Sequence, residues 1–133
     1  MTRQAIRVGI IGTGRISDLH VIEYIQNPFS QITALCDQDI DLAKDRAAKW
    51  KCPDAAVTNN YEDLLARDDV DLVELLLPHN LHLPIALKAI EAQKIVSLQK
   101  PMCINLDEAD QLVAAAEASP HPFKVFENFI FHP

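Results

Sequence analysis

The sequence has few cysteines and no arrangement of them suited to a cross-link or a metal site. The three cysteines are odd in number and far apart, and no Cys-x-x-Cys pair occurs among the 133 residues. The five histidines also lack the paired spacing that a zinc site requires. We therefore expect no disulfide framework and no metal ligands, and a reducing compartment, the cytoplasm, is the expected location.

Long hydrophobic runs and basic clusters are also missing. The strongest apolar run, residues 72–78, is interrupted by Glu74 and is too short to span a bilayer. The first residues carry no signal-peptide pattern, so export is not expected. The net charge is −7 and lysines and arginines are scattered, so a polyanion would be repelled on average. Membrane and nucleic-acid partners are therefore not expected.

Glycine is scarce, and its placement is informative. The only three glycines lie between residues 9 and 14, in a segment that continues Gly12-Thr13-Gly14-Arg15-Ile16-Ser17. At the end of an apolar strand and the start of a helix, Gly12 allows a sharp turn and Gly14 lets a pyrophosphate approach the backbone. Ser17 stands where this fingerprint has Gly or Ala, so we expect a slightly looser helix–strand contact. The alternative is a tight turn that binds nothing.

Short apolar runs alternate with helical periodicity along the chain, and 49% of the residues are hydrophobic. This alternation predicts an α/β fold, a doubly wound parallel sheet of the Rossmann type, over residues 1–126. The predicted strands are residues 6–11, 31–36, 55–58, 70–77, 95–98 and 123–126. Helices are predicted from Ile16, Leu19, Ile22 and Ile25, from residues 42–50, from the capping pair Asn59 and Glu62, from residues 83–92, and from the capping pair Asn105 and Glu108.

An acidic residue, Asp37, follows the second predicted strand, 23 residues after Gly14. A carboxylate there can accept hydrogen bonds from both ribose hydroxyls of an adenosine. It would also repel a 2′-phosphate about 4 Å away by roughly 1 to 4 kcal/mol per unit charge. Because Gln38 and Asp39 follow, and no arginine, the pattern favours NAD over NADP. The alternative is a solvated aspartate that contacts nothing.

Two further segments end predicted strands and should line the same crevice, because ligands bind at the carboxyl ends of parallel strands. They are Leu77-Pro78-His79-Asn80-Leu81-His82 and Leu98-Gln99-Lys100-Pro101. We expect Lys100 to be partly desolvated and so suited to proton transfer. A surface lysine is the alternative for Lys100, and a helix-capping or core histidine is the alternative for His82.

At these residues the sequence resembles the glucose–fructose oxidoreductase, inositol dehydrogenase and rhizopine-catabolism family, Gfo/Idh/MocA. Residues 8–16 resemble its first strand and turn, and residues 64–73 resemble its approach to the fourth strand. Pro78 with His82 fits its Pro-x-x-x-His element, Lys100-Pro101 fits its Glu-Lys-Pro motif, and residues 127–133 resemble its exit from the nucleotide domain. The resemblance covers essentially the whole chain.

The resemblance implies a nicotinamide-dependent dehydrogenase or reductase that acts on sugars, inositols or related polyols. Lys100 would be the catalytic residue, placed beside the nicotinamide and the substrate hydroxyl. Four residues depart from the family pattern: Gln99 for glutamate, Gln93 for glycine, Leu77 for Thr or Ser, and His79 for Asn. The expected cofactor-binding residues are Gly12, Thr13, Gly14, Arg15, Ile16, Asp37, Leu77, Pro78, His79, His82, Gln99, Lys100 and Asn128.

Family members continue into a second domain that carries the substrate pocket and most oligomer contacts. Residues 127–133 would begin the segment leading to it, and four of the five phenylalanines lie in the last 11 residues. We therefore expect a fragment of a longer, homo-oligomeric enzyme, with weak dinucleotide binding and little turnover on its own. Two alternatives remain: a dinucleotide-sensing regulator of the same family, and a nucleotide domain that gates a transporter. The transporter reading does not account for the spacing from Pro-x-x-x-His to Lys-Pro.

Overall fold

Each apolar run forms a strand in the computed structural model, which describes residues 4–127. The strands are β1 (Ile6–Ile11), β2 (Ser30–Cys36), β3 (Ala56–Thr58), β4 (Leu72–Leu75), β5 (Ile95–Gln99) and β6 (Phe123–Phe126). The strand β4 is shorter than the predicted residues 70–77. Its pairing with β1 still continues at both ends, through Asp71 N to Arg7 O (2.8 Å) and Leu76 N to Ile11 O (2.9 Å).

Five α-helices connect the strands. They are α1 (Ser17–Gln26), α2 (Ile40–Lys49), α3 (Tyr61–Leu65), α4 (His82–Glu91) and α5 (Leu106–Ala118). A single 3₁₀ turn, His79–Leu81, precedes α4.

The helix caps confirm one sequence prediction and correct another. Asn105 caps α5 by accepting from the Glu108 amide at 2.8 Å, as predicted. The cap of α3 is Asn60, which accepts from the Glu62 amide at 3.0 Å, and the prediction of Asn59 was wrong by one residue. The reason is that α3 begins at Tyr61, so the residue directly before it is the one whose side chain reaches the free amides of the first turn.

The six strands form one parallel sheet in the order β3-β2-β1-β4-β5-β6. This is the strand order of the Rossmann fold, and it confirms the predicted fold class. After β3 the chain crosses to the other half of the sheet, where β4 pairs with β1. A crevice is therefore expected beyond the carboxyl ends of these two strands.

Two hydrophobic clusters hold helices to opposite faces of the sheet. The larger packs α3, α4 and α5 against the sheet through residues such as Leu64, Leu75 and Leu112. The smaller packs α1 and α2 against the other face and includes Val21 and Trp50. Within residues 4–127, no helix is long and apolar enough to cross a membrane.

Helix α1 is present as predicted, but the apolar residues that predicted it face outward. Ile16, Leu19, Ile22 and Ile25 are between 39% and 67% exposed. The side chains that α1 buries are instead Ser17, His20 and Val21. Where α1 meets β4 and β5, the contact is therefore partly polar.

One of the four departures from the family pattern has a visible backbone consequence. Gln93 lies just after α4 with a φ of +60°. This left-handed conformation is common after a helix and favours glycine, since a side chain there is strained. The structure thus accounts for the glycine that the family pattern has at this position.

Candidate functional site

An open crevice of about 440 Å³ lies at the carboxyl ends of β1, β2, β3 and β4. Its walls come from the glycine turn, the ends of the strands and the start of α4. The lining residues are Ile11, Gly12, Gly14, Cys36, Asp37, Gln38, Asn59, Asn60, Tyr61, Leu76, Leu77, Pro78, Leu81 and Ile85. Five of the residues expected to bind cofactor are among them: Gly12, Gly14, Asp37, Leu77 and Pro78.

Gly12 is required by the backbone itself. Its φ is +97°, and a Cβ there would lie 2.2 Å from the carbonyl oxygen of Leu76. Its amide also donates to the Cys36 carbonyl at 2.9 Å, which ties the end of β1 to the end of β2. Only glycine fits this close approach, as expected for the sharp turn.

Gly14 is surrounded by open space. A Cβ built on it would meet no atom within 4 Å, although Gly14 lines the crevice. The absent side chain therefore leaves room that the protein does not use for its own packing. Helix α1 begins three residues later, so its positive N-terminal end faces the same region.

Ser17, at the start of α1, fits the turn closely. Its side chain is fully buried, and its hydroxyl donates to the Gly14 carbonyl at 2.5 Å. The extra atom that serine has over alanine is thus used to close the turn.

The carboxylate of Asp37 is anchored to the glycine turn. Its Oδ2 accepts from the amide and the hydroxyl of Thr13, at 2.8 and 2.9 Å, and its Oδ1 accepts from the Asp39 amide at 3.0 Å. The alternative of an aspartate that contacts nothing is therefore wrong. Each carboxylate oxygen has more than one lone pair, so Asp37 can still accept hydrogen bonds from a ligand in the crevice.

Helix α2 holds the same turn from outside the crevice. Arg46 Nε donates to the Thr13 carbonyl at 3.1 Å, and its guanidinium lies 3.4 Å from Asp18. Lys49 and Trp50 also donate to Asp18, each at 2.9 Å. These bonds, that of Lys49 first, lower the pKa of Asp18, so its charge is retained in the fold. The turn is thus fixed from both sides.

Cys36 lines the crevice, but its thiol is unreactive. Burial raises the pKa of its thiol to about 11, and the charges of Asp37 and Asp63 add to this. The thiol therefore stays protonated at neutral pH and is a poor nucleophile.

His82 lies behind the crevice wall. It is fully buried, with Nδ1 2.7 Å from the Pro101 carbonyl oxygen and Nε2 3.0 Å from the Leu77 carbonyl oxygen. It therefore joins the segment after β4 to the segment after β5. This placement corresponds to the alternative of a core histidine. His79 is exposed and packs edge-on against the His82 ring.

Lys100 follows the carboxyl end of β5. Residues 4–127 leave its side chain exposed, so they do not provide the partial desolvation that was expected. Its backbone amide donates to the side chain of Gln99 at 2.8 Å. Gln99 is buried and points to the α1 side of the sheet, toward His20.

The remaining expected site residues have other surroundings. Thr13 is buried, Arg15 and Ile16 are exposed, and Asn128 lies outside the described residues. Residues 4–127 contain no group of three or more His, Cys, Asp or Glu side chains that could hold a metal ion.

Sequence reasoning missed several lining residues, among them Asn59, Asn60, Tyr61 and Leu81. The first three follow β3, and a signal was available because the carboxyl end of every parallel strand reaches the same edge of the sheet. Leu81 belongs to the segment that the sequence did single out.

The chain is similar to known oxidoreductases over nearly all its length. A family model described as "Oxidoreductase family, NAD-binding Rossmann fold" (Gfo/Idh/MocA) matches residues 6–126. A glycosyl hydrolase family 109 protein of Shewanella baltica is 34% identical over 130 residues, which are 92% of this chain and 28% of that protein.

Two solved structures have the same fold. KijD10, a 3-ketoreductase from Actinomadura kijaniata crystallised with NADP, has a TM-score of 0.89 at 30% identity, over 98% of this chain and 40% of its own. GenD2, from gentamicin A biosynthesis and crystallised with NAD, has a TM-score of 0.90 at 28% identity, over 98% of this chain and 36% of its own. The chain thus spans about a quarter to two fifths of the length of these proteins.

Proposed function

Because this chain belongs to the Gfo/Idh/MocA oxidoreductase family, we propose that it is the NAD(H)-binding part of an enzyme acting on a sugar, inositol or related polyol. The observation that carries the proposal is the unfilled space at Gly14, which lies between the N-terminal end of α1 and the carboxylate of Asp37. This is the arrangement that a diphosphate and its adjoining ribose require.

The described residues have suitable chemistry for each part of the cofactor. The Gly12 and Thr13 amides already donate to Cys36 and Asp37, so the backbone amides of Gly14 and of the residues leading into α1 would hold the diphosphate. Asp37 would accept from the ribose hydroxyls. The apolar side chains of Leu77, Pro78 and Leu81 would form the wall toward the nicotinamide. When bound, the nicotinamide supplies the centre that accepts or gives the hydride.

The choice of NAD over NADP rests on the charge of Asp37. Relatives have been crystallised with either cofactor, so family membership alone does not decide between them. In this chain a 2′-phosphate would have to approach the Asp37 carboxylate, and the next residues, Gln38 and Asp39, offer no compensating cation. Arg46 is already bound to Asp18 and to the Thr13 carbonyl.

Lys100 is the residue proposed to move the substrate proton. Its ammonium can give a proton to a carbonyl oxygen, and its amine can take one from a hydroxyl, at the Nζ atom. The position supports this role because Lys100 stands at the carboxyl end of β5, the edge of the sheet where the crevice opens.

Substitution of Lys100 in the complete enzyme tests the proposal. Lys100→Ala should lower turnover by roughly 10²- to 10⁴-fold while NAD⁺ affinity changes little. Lys44→Ala is the control, since Lys44 is also exposed and its Nζ lies 3.7 Å from Asp41 on the surface of α2. Unchanged turnover in Lys100→Ala would refute the catalytic role. Tight NAD⁺ binding with no turnover of any sugar or polyol would favour the dinucleotide-sensing regulator.

A second candidate reaction is cleavage of a glycosidic bond, supported by the glycosyl hydrolase family 109 relative. The two reactions differ in their net products. A dehydrogenase gives one NADH for each oxidised hydroxyl, whereas hydrolysis releases a sugar with no net change in the nicotinamide. Parallel assays of absorbance at 340 nm and of released sugar would separate them.

A further inference from the structure

A buried polar cluster lies on the α1 side of the sheet, outside the crevice. It consists of His20 and Tyr24 from α1, Glu74 from β4 and Gln99 from β5, and is called the His20 cluster below. Glu74 is fully buried, and His20 and Gln99 are each 8% exposed. Most polar groups buried at this depth are hydrogen-bonded, so the contacts within the cluster show which atoms carry protons.

The orientation of the Gln99 amide follows from its bond to Lys100. The Lys100 backbone N–H can only donate, so the Gln99 atom that it contacts at 2.8 Å is the oxygen. The amide nitrogen of Gln99 then faces His20 Nε2 at 2.7 Å. Because an amide NH₂ group only donates, His20 Nε2 must be the acceptor and carries no proton.

The proton of His20 is therefore on Nδ1, which lies 3.0 Å from Glu74 Oε1. This contact does not have the direction of a hydrogen bond, and among residues 4–127 Glu74 Oε1 has no hydrogen-bond partner. The other oxygen of Glu74 accepts from the Tyr24 hydroxyl at 2.5 Å. Burial, followed by the charge of Glu74, raises the pKa of Tyr24, so this hydroxyl remains a donor.

The cluster ends at the backbone of Lys100. Gln99 holds the Lys100 amide from one side, and His82 contacts the Pro101 carbonyl from the other. The Lys100 side chain itself is exposed, so these two backbone contacts determine the point from which it extends.

We propose that His20 and Glu74 are positioning residues for Lys100 that act through Gln99, with His20 held as a neutral imidazole protonated on Nδ1. The positioning role rests on the proposed function of Lys100, whereas the tautomer depends only on the cluster. Glutamine at position 99, where the family pattern has glutamate, fits this arrangement. A carboxylate there would face His20 Nε2 as a second buried acceptor beside Glu74, and His20 could donate to both carboxylates only if both ring nitrogens carried protons.

Nitrogen-15 NMR of the histidine side chains in the 133-residue chain tests the tautomer. At pH 7 we expect His20 Nδ1 to show the shift of a protonated nitrogen and Nε2 that of an unprotonated one. In Gln99→Glu both nitrogens should show the protonated shift. Glu23 on the cavity wall beside His20 and Lys124 above the Phe126 ring are ionisable groups on this side of the sheet, so Glu23→Gln and Lys124→Met serve as controls. A proton on Nε2 of the unaltered chain, or no change in Gln99→Glu, would overturn the tautomer.

Turnover of the complete enzyme tests the positioning role. His20→Leu removes the acceptor for Gln99 and should lower kcat by about 10- to 100-fold with little change in KM, because small misplacements of a reacting group are costly. His20→Gln retains an acceptor near the position of Nε2 and should recover most of the loss. Thermal unfolding of both variants would show whether His20→Leu still folds. If it does not, the kcat of His20→Gln is compared with that of His20→Met, and equal values would refute positioning.

The double variant separates this inference from the proposed function. In a Lys100→Ala background, His20→Leu should cause no further loss, because a positioning residue acts only through the group it positions. An additional loss in that background would refute positioning. If Lys100→Ala alone is fully active, the proposed role of Lys100 fails, while the NMR result on His20 stands independently.

Discussion

Gly12 and Gly14 occupy one turn, but the space around each predicts a different effect of substitution. At Gly12 a methyl group would meet a backbone carbonyl, and the φ of +97° disfavours any side chain. At Gly14 a methyl group would stand in open space at the crevice. The first glycine therefore serves the fold, and the second is expected to serve the ligand.

Gly12→Ala should destabilise the chain by at least about 2 kcal/mol, since a left-handed conformation and a backbone contact are both imposed on alanine. Gly14→Val should leave the unfolding midpoint almost unchanged and weaken NAD⁺ binding by at least about tenfold, because its side chain would occupy the diphosphate position. Thermal unfolding and calorimetric titration measure the two effects. A Gly14→Val variant that binds NAD⁺ normally would contradict the proposed cradle.

At Asp37 the anchoring bonds and the charge have separable consequences. Both oxygens accept bonds from the backbone or side chain of the protein, so the carboxylate is held in place before any ligand binds. An asparagine can keep the bond from Thr13 while it removes the negative charge. The isosteric substitution therefore removes the charge and one anchoring bond, that from the Asp39 amide, because an amide NH₂ group cannot accept.

Asp37→Asn should reduce the preference for NAD⁺ over NADP⁺ by about fivefold or more, which corresponds to about 1 kcal/mol for one unit of charge near 4 Å in a water-like dielectric. Calorimetry with both cofactors measures the ratio of the two Kd values. Asp54→Asn, a change of the same kind at an exposed site, should leave the ratio unaltered. Tighter binding of NADP⁺ than of NAD⁺ by the unaltered chain would contradict the assignment of Asp37.

At the scale of elements, Arg7 on β1 and Asp71, just before β4, join the two strands that flank the crevice. Arg7 donates to both oxygens of Asp71, at 2.9 and 2.6 Å, and its backbone amide adds a third bond. The hydrogen bond from Arg7 lowers the pKa of Asp71. The contribution of this pair to stability is therefore present above the usual aspartate range and is lost as the pH falls through the lowered value.

Asp71→Asn should lower the unfolding midpoint at pH 7 by about 2 to 4 °C, the effect of one well-formed, half-exposed pair. The difference between Asp71→Asn and the unaltered chain should shrink as the pH falls below about 4, since the aspartate of the unfolded chain takes up a proton there while the paired aspartate of the folded chain still resists it. Thermal unfolding between pH 7 and pH 3 measures both trends. A difference that stays constant over this range would show that the ion pair does not contribute as described.

Helices and strands were largely predictable from the sequence, but their orientation was less so. The spacing of Ile16, Leu19, Ile22 and Ile25 predicts a helix, and the helix is there, yet these side chains face outward. Helical periodicity shows that residues share one face of a helix, but it does not show whether that face packs against the sheet or is exposed to solvent. The inward face of α1 carries His20, and a buried histidine has no distinctive signal in a single sequence.

The site was predictable to the extent that it is local. Gly12, Gly14 and Asp37 lie at strand ends that apolar runs identify, and all three line the crevice. His82 also stood out as part of a motif, but its surroundings depend on Pro101, 19 residues away. The contacts between Gln99 and His20 join residues 79 positions apart, and sequence spacing does not reveal them.

At the scale of the whole molecule, the strand order brings the relevant segments to one edge. From β1 the chain adds strands outward to β3 and then returns to add β4 on the other side of β1. The glycine turn after β1 therefore faces the segment that begins at Leu76 after β4. The His20 cluster lies on the α1 side of the same sheet and shares no residue with the lining of the crevice. Cofactor binding is therefore assigned to the carboxyl edge of the sheet, and the anchoring of the Lys100 backbone to Gln99 and His82.

An NMR titration of the 133-residue chain with NAD⁺, following backbone amide shifts, tests the central claim most directly. Binding in the crevice predicts the largest shifts at residues 12–17, 37–38, 59–61 and 77–81, and small shifts at the cavity lined by Leu19, Tyr24 and Phe126. Shifts concentrated at that cavity, or no shifts at millimolar NAD⁺, would contradict the assignment of the crevice.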